Sequence, residues 1–128
     1  MELEIKINHT TRGIVTVSPV GSINTETSIA LDKEIEEVLT KPIKVLVLDM
    51  EGVDFITSAG VGIIVKIKTS LNRKGYEFAM INLKPQIKKV FEILRLTPIL
   101  DVFTSKKELD EYLFRVQRNI TGDEDSGC

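Results

Sequence analysis

Cysteine is nearly absent from this chain of 128 residues, occurring once, as Cys128 at the last position. A lone thiol closes no disulfide within the chain and offers no thiol cluster to a metal, so Cys128 reads as an exposed thiol on a loose tail. Histidine is just as scarce. His9 stands between Asn8 and Thr10 in what reads as a polar turn, with no second ligand or triad partner that the sequence can name for it. No apolar run approaches the roughly 20 residues of a membrane-spanning helix, so no membrane partner is expected. Met1-Glu2-Leu3-Glu4-Ile5-Lys6-Ile7 alternates instead of forming a basic stretch and an apolar block, so a secretory signal is not expected and a cytoplasmic location is. Seventeen basic against nineteen acidic residues leave a net charge of -2, which supplies no broad electropositive surface for nucleic acid. A phosphate-binding glycine motif with its lysine is missing, and Gly60-Val61-Gly62 lacks dinucleotide-fingerprint spacing, so no cofactor is expected. No acid, base and nucleophile converge as a set, which argues against an enzyme.

What is present is the material of one domain, placed at residues 1–118, with 42% hydrophobic residues. Residues 119–128, rich in acids, Gly and Ser, read as a disordered acidic tail. Leu3, Ile5 and Ile7 alternate with polar residues, and Thr10-Thr11-Arg12-Gly13 turns that strand into a second around Ile14 to Val20, a hairpin that Gly21-Ser22-Ile23-Asn24 ends. Asn24 or Thr25 can cap a helix carrying Leu31, Ile35, Val38 and Leu39 and ending near Thr40. Ile43 to Asp49 is almost continuously aliphatic, as in a strand covered on both faces. Ile64, Ile67 and Leu71 line a second helix closed by Gly75, and a strand follows at Glu77 to Ile81. Pro85 opens a third helix with Ile87, Val90, Phe91 and Leu94, closed at Thr97-Pro98, and a brief strand spans Leu100 to Phe103. Ser105-Lys106-Lys107-Glu108 is a capping box for a last helix with Leu109, Tyr112, Leu113 and Val116 on its buried side. The fold class is therefore α/β: a mixed, mostly parallel sheet with an N-terminal antiparallel hairpin and about four helices.

In such sheets, loops at the carboxyl ends of the strands carry function, and residues 51–58 read as one. Its end, Thr57-Ser58-Ala59-Gly60-Val61-Gly62, puts a reachable serine at a helix start among residues with little side chain. Ser58 can be a helix cap, a modification site, or both. Gly60 and Gly62 give either clearance for a partner or room for helix-to-sheet packing. Val61 and Val65 read as lying on the Ser58 side of the helix, away from the Ile64 stripe, where they would form the apolar centre of a contact.

This order of elements, with "DFITSAGVG" after the aliphatic strand and "INLKP" after the next, resembles the STAS domain, in particular the SpoIIAA-like anti-sigma factor antagonists of bacteria, over about residues 2–117. The resemblance implies a binding protein, not an enzyme. When unphosphorylated it would bind an anti-sigma factor that is also a serine kinase of the histidine-kinase-like ATPase fold, and so free a sigma factor. That kinase would phosphorylate Ser58, and a PP2C-type phosphatase would reverse the reaction. The resemblance places the partner surface at Asn24, Thr57, Ser58, Ala59, Gly60, Val61, Gly62 and Val65. Thr57 and Asn24 stand where the family usually has acidic residues, which leaves a second reading: a STAS interaction module of another signalling complex that binds without being phosphorylated. Thr57 is itself a possible acceptor, behind Ser58. A receiver domain, suggested by Asp49 and Lys84-Pro85, would need paired acids where this chain has Asn8-His9-Thr10.

Overall fold

The computed structural model describes residues 3–10, 12–96, 102–103, 107–111 and 114. β1 (Glu4–His9) and β2 (Ile14–Ile23) form the antiparallel hairpin, in register from Glu4 opposite Val20 to His9 opposite Val15. After α1 (Thr25–Val38), β3 (Val45–Asp49) pairs parallel with the first half of β2. β4 (Val53–Ile56), α2 (Ser58–Arg73), β5 (Glu77–Ile81), α3 (Pro85–Ile93) and β6 (Val102–Phe103) follow, and residues 107–111 and 114 are helical. The sheet order is β1-β2-β3-β5-β6, parallel from β2 onward, with β4 off this path and paired parallel to the end of β2.

The central strand shows why an unbroken aliphatic run was needed. Leu46 and Leu48 point into a core built with Leu31 and Ile35 of α1, Ile64, Ile67 and Leu71 of α2, and Ile87 and Phe91 of α3. Val45 and Val47 point the other way and pack with Ala79, Ile81 and Leu109 of the last helix. Each such side chain contributes about 1.5–3 kcal/mol by leaving water, so both faces of β3 hold the layers together. The described residues contain no helix long and apolar enough to cross a membrane.

Four sequence expectations are corrected. Residues 53–56, read as part of a loop, are β4. Residues 21–23, read as a break, continue β2, with a register irregularity between Gly21 and Ser22 where Gly21 adopts φ 128°. His9 is the last residue of β1 rather than a turn residue. α3 stops at Ile93 rather than at Thr97-Pro98, because Arg95 turns left-handed at φ 57° and the Leu96 and Arg95 amides donate to the Phe91 and Glu92 carbonyls, each at 3.0 Å. Leu94 consequently leaves the buried stripe and is 44% exposed. The expected capping box at Ser105, the contacts of Tyr112, Leu113 and Val116, the tail 119–128 and Cys128 lie outside the described residues.

The bend in β2 matters most for the site. One strand serves β3 with its first half and β4 with its last three residues, so β2 and β4 finish together and α1 and α2 start side by side.

Candidate functional site

Two helix starts meet at this edge. At the first, Asn24 caps α1, its side-chain oxygen accepting the Glu26 and Thr27 amides at 3.0 and 2.9 Å. Thr27 returns the bond: its hydroxyl oxygen accepts the Asn24 amide at 2.8 Å and its proton goes to the Ser22 carbonyl at 2.7 Å. The Ser28 hydroxyl donates to the Thr25 carbonyl at 3.0 Å, and Glu26 places an acid at the positive end of the helix dipole. Asn24 thus keeps the hydrogen-bonding role expected of a cap at this position.

At the second start the pairing of β4 with β2 sets the register. The Thr57 amide donates to the Ile23 carbonyl at 2.9 Å, continuing the strand by one residue and holding Thr57 extended at φ −92°, ψ 167°. Thr57 is therefore the cap, its hydroxyl oxygen accepting the Gly60 amide at 3.2 Å, and Ser58 is the first helical residue. That settles which of the two hydroxyls does the capping, a role the sequence also allowed for Ser58. Ser58 and Ala59 are exposed, and the Ser58 hydroxyl makes no hydrogen bond among the described residues. The first turn of α2 has no acid. A hydroxyl with no structural duty at the positive end of a helix can carry an anion at little cost to the fold.

The two glycines separate cleanly. A Cβ on Gly60 would stand 2.8 Å from both the Ile23 side chain and the Ile23 carbonyl oxygen and 2.9 Å from Ile56, so Gly60 is buried and lets α2 approach the strands. A Cβ on Gly62 would meet nothing within 4 Å. Only Gly62 leaves open space above itself. Val61 is corrected as well: at 2% exposure it belongs to the core, since it precedes Ile64 by three residues and shares its stripe. Val65 is half-buried. Of the residues expected at the partner surface, Ser58, Ala59 and Gly62 are therefore exposed, Asn24, Thr57 and Val65 are half-buried, and Gly60 and Val61 are buried.

Side chains the sequence did not single out complete the surroundings. Lys66 of α2 donates to Asp32 of α1 at 2.6 Å and lies 3.9 Å from Glu36, an exposed link between the two helices. The hydrogen bond to Asp32, and then its charge, hold the Lys66 ammonium above its ordinary range. Lys84, before α3, pairs with Asp54 of β4, beside exposed Phe55. At the end of β3, the Asp49 carboxylate accepts the Glu51 amide and the Asn82 side-chain amide at 3.1 and 3.2 Å, which uses it structurally. Among the described residues, no group of three His, Cys, Asp or Glu side chains is arranged to hold a metal.

Comparison with known proteins agrees with this architecture. The family model described as STAS domain matches residues 6–109. BtrV of Bordetella bronchiseptica, named as a candidate anti-sigma factor antagonist, is 29% identical over 87 residues, covering 68% of this chain and 75% of that protein. The anti-sigma F factor antagonist of Paenibacillus polymyxa is 24% identical over 107 residues, covering 83% and 91%. Among solved structures, two share the fold at 19% identity. The anti-sigma factor antagonist SpoIIAA in its unphosphorylated form has a TM-score of 0.71 over 85% of this chain and 96% of that one. The Bacillus cell fate determinant SpoIIAA in the phosphorylated form has a TM-score of 0.65 over 85% and 99%.

Proposed function

The chain belongs to the STAS domain family, and on that premise we propose that it is an anti-sigma factor antagonist whose grip on its partner is switched by phosphorylation of Ser58. Unphosphorylated, the Ser58 surface docks on an anti-sigma factor that is also a serine kinase of the histidine-kinase-like ATPase fold, and the sigma factor is released. ATP held by that partner transfers its γ-phosphoryl group to the Ser58 oxygen, with loss of the hydroxyl proton and departure of ADP. A PP2C-type phosphatase hydrolyses the ester with water, returning the hydroxyl and inorganic phosphate. The protein is then a cytoplasmic substrate and binding partner, not a catalyst.

One observation carries this reading: Thr57 caps α2, which leaves the exposed Ser58 hydroxyl without structural work. The names of the relatives support the partner class, and solved phosphorylated and unphosphorylated forms of a protein of this fold support the switch. Phosphorylation replaces a neutral hydroxyl with a bulky, strongly hydrated group of about −1.5 to −2 charges. Docking would have to strip that hydration, so the complex separates. The helix start accommodates the charge, so the domain stays folded.

The test is incubation with ATP and the cognate kinase, read by intact mass. One phosphate per chain is expected, absent from Ser58→Ala, which still binds the kinase. Labelling retained in that variant would move the acceptor to Thr57 or elsewhere. Stable binding with no labelling of the wild-type chain would favour the constitutive module that the neutral Thr57 and Asn24 first suggested.

A further inference from the structure

β1 is an edge strand: β2 pairs with one side of it, and among the described residues no strand pairs with the other. Which of its residues face that open side follows from β2. The Gly13 carbonyl accepts from the Lys44 and Val45 amides, the Gly21 amide donates to the Gly52 carbonyl, and the Ile23 carbonyl accepts from the Thr57 amide. The odd-numbered residues of β2 therefore turn their backbone groups toward β3 and β4, and Pro19, with no N–H to give, fits that alternation. Ile5, Ile7 and His9 stand opposite Pro19, Val17 and Val15. In an antiparallel pair these are then the residues not bonded to β2, and their amides and carbonyls point off the sheet.

The side chains of this strand are sorted by face. Leu3, Ile5 and Ile7 are half-buried and pack against the core beneath the helices. Glu4 and Lys6 are exposed on the other face, where β2 offers them only Val20 and Ser18, and neither charge is paired among the described residues.

We propose that a second copy of this chain adds its own β1 to this edge, antiparallel, about a two-fold axis through Ile5. Leu3-Glu4-Ile5-Lys6-Ile7 is its own complement in that register. Ile5 exchanges backbone hydrogen bonds with the copy's Ile5, and Leu3 with the copy's Ile7. At the positions between, where side chains come closest, Glu4 meets the copy's Lys6 and Lys6 the copy's Glu4. The apolar face continues across the seam, with the copy's Leu3 beside Ile7 at the open groove of about 190 Å³ that Ile7 lines with Val38. Neighbouring axes lose the match: one through Lys6 sets that lysine against itself, and one through Ile7 sets it against Asn8. A lysine on an edge strand ordinarily keeps other strands away; in this register the carboxylate two residues before it cancels that repulsion.

The test weighs the full-length chain by sedimentation equilibrium from micromolar to millimolar concentration and follows amide hydrogen exchange in β1. A concentration-dependent dimer is expected, with the Ile5 and Ile7 amides slowing as it forms. Glu4→Lys and Lys6→Glu each set like charges against each other on both sides of the axis, and each should weaken the dimer about tenfold or more. Both side chains are exposed, so the circular dichroism of each variant should match that of the wild type. An equal mixture of the two variants should dimerise again, since lysines then face glutamates, and so should the Glu4→Lys/Lys6→Glu double variant. A wild-type chain that stays monomeric at millimolar concentration overturns the proposal, as does a dimer indifferent to both reversals or one that neither the mixture nor the double variant restores. If the chain alone is monomeric and its β1 amides slow only when the anti-sigma factor is added, the edge belongs to that partner and the second copy is wrong. No outcome involves Ser58, so the proposed function stands or falls separately.

Discussion

The starts of α1 and α2 are neighbours on one edge of one sheet, yet they are built to opposite specifications. The α1 start is closed: Asn24 and Thr27 satisfy each other's amides, Thr27 ties into the Ser22 carbonyl, and Glu26 answers the dipole. The α2 start is spare, with one Thr57 oxygen at 3.2 Å from one amide, no acid, and a serine left over. The difference shows that stability and availability are assigned to separate places. Thr27, bound into its box, is 4% exposed, whereas the phosphorylation proposed for Ser58 needs a hydroxyl that another protein can reach.

Substitutions can break or sharpen that contrast. The largest effect is expected at Gly60, where alanine would have to push aside a carbonyl oxygen of β2. A loss of about 1–3 kcal/mol is expected in chemical denaturation, and an unchanged midpoint would mean that α2 is not held as tightly to β2 as Gly60 implies. Asn24→Ala should cost about 1–2 kcal/mol, since it removes the acceptor for the Glu26 and Thr27 amides. Thr57→Ala should cost less, about 0.5–1 kcal/mol, because it removes one long bond. Equal losses from the two alanines would erase the distinction between a closed and a spare start. Smallest of all, Ser58→Glu should raise stability by about 0.3–1 kcal/mol, as an acid in an uncompensated first turn does. A clear drop in Tm would mean that the serine has structural work after all.

Much of the scaffold was legible beforehand because its signals are local. The Leu31 and Ile35 stripe, the doubly buried Ile43 to Asp49 run, Gly75 after α2 and Pro85 before α3 each follow from spacing or backbone geometry that a single segment carries. The site was legible as a motif and misread in detail. Two adjacent hydroxyls, Thr57 and Ser58, compete for the same cap, and the winner is decided by a hydrogen bond from Thr57 to Ile23, more than thirty residues away in the chain. β4 escaped notice because four residues with two exposed in the middle show no alternation. Val61 was misassigned although the signal was present: continuing the Ile64, Ile67 and Leu71 stripe back by three residues reaches it. The Lys66–Asp32 pair carries no local signature, since it depends on how two helices lie against each other.

The amide of Thr57 is tethered to the carbonyl of Ile23, and Ile23 is wholly buried. On the proposed reading, a phosphate on the neighbouring serine would therefore sit beside a residue pinned to the core strand, and would leave the packing beneath it in place. Such a mark would be legible at the doorstep where it is written, to a visitor that touches it.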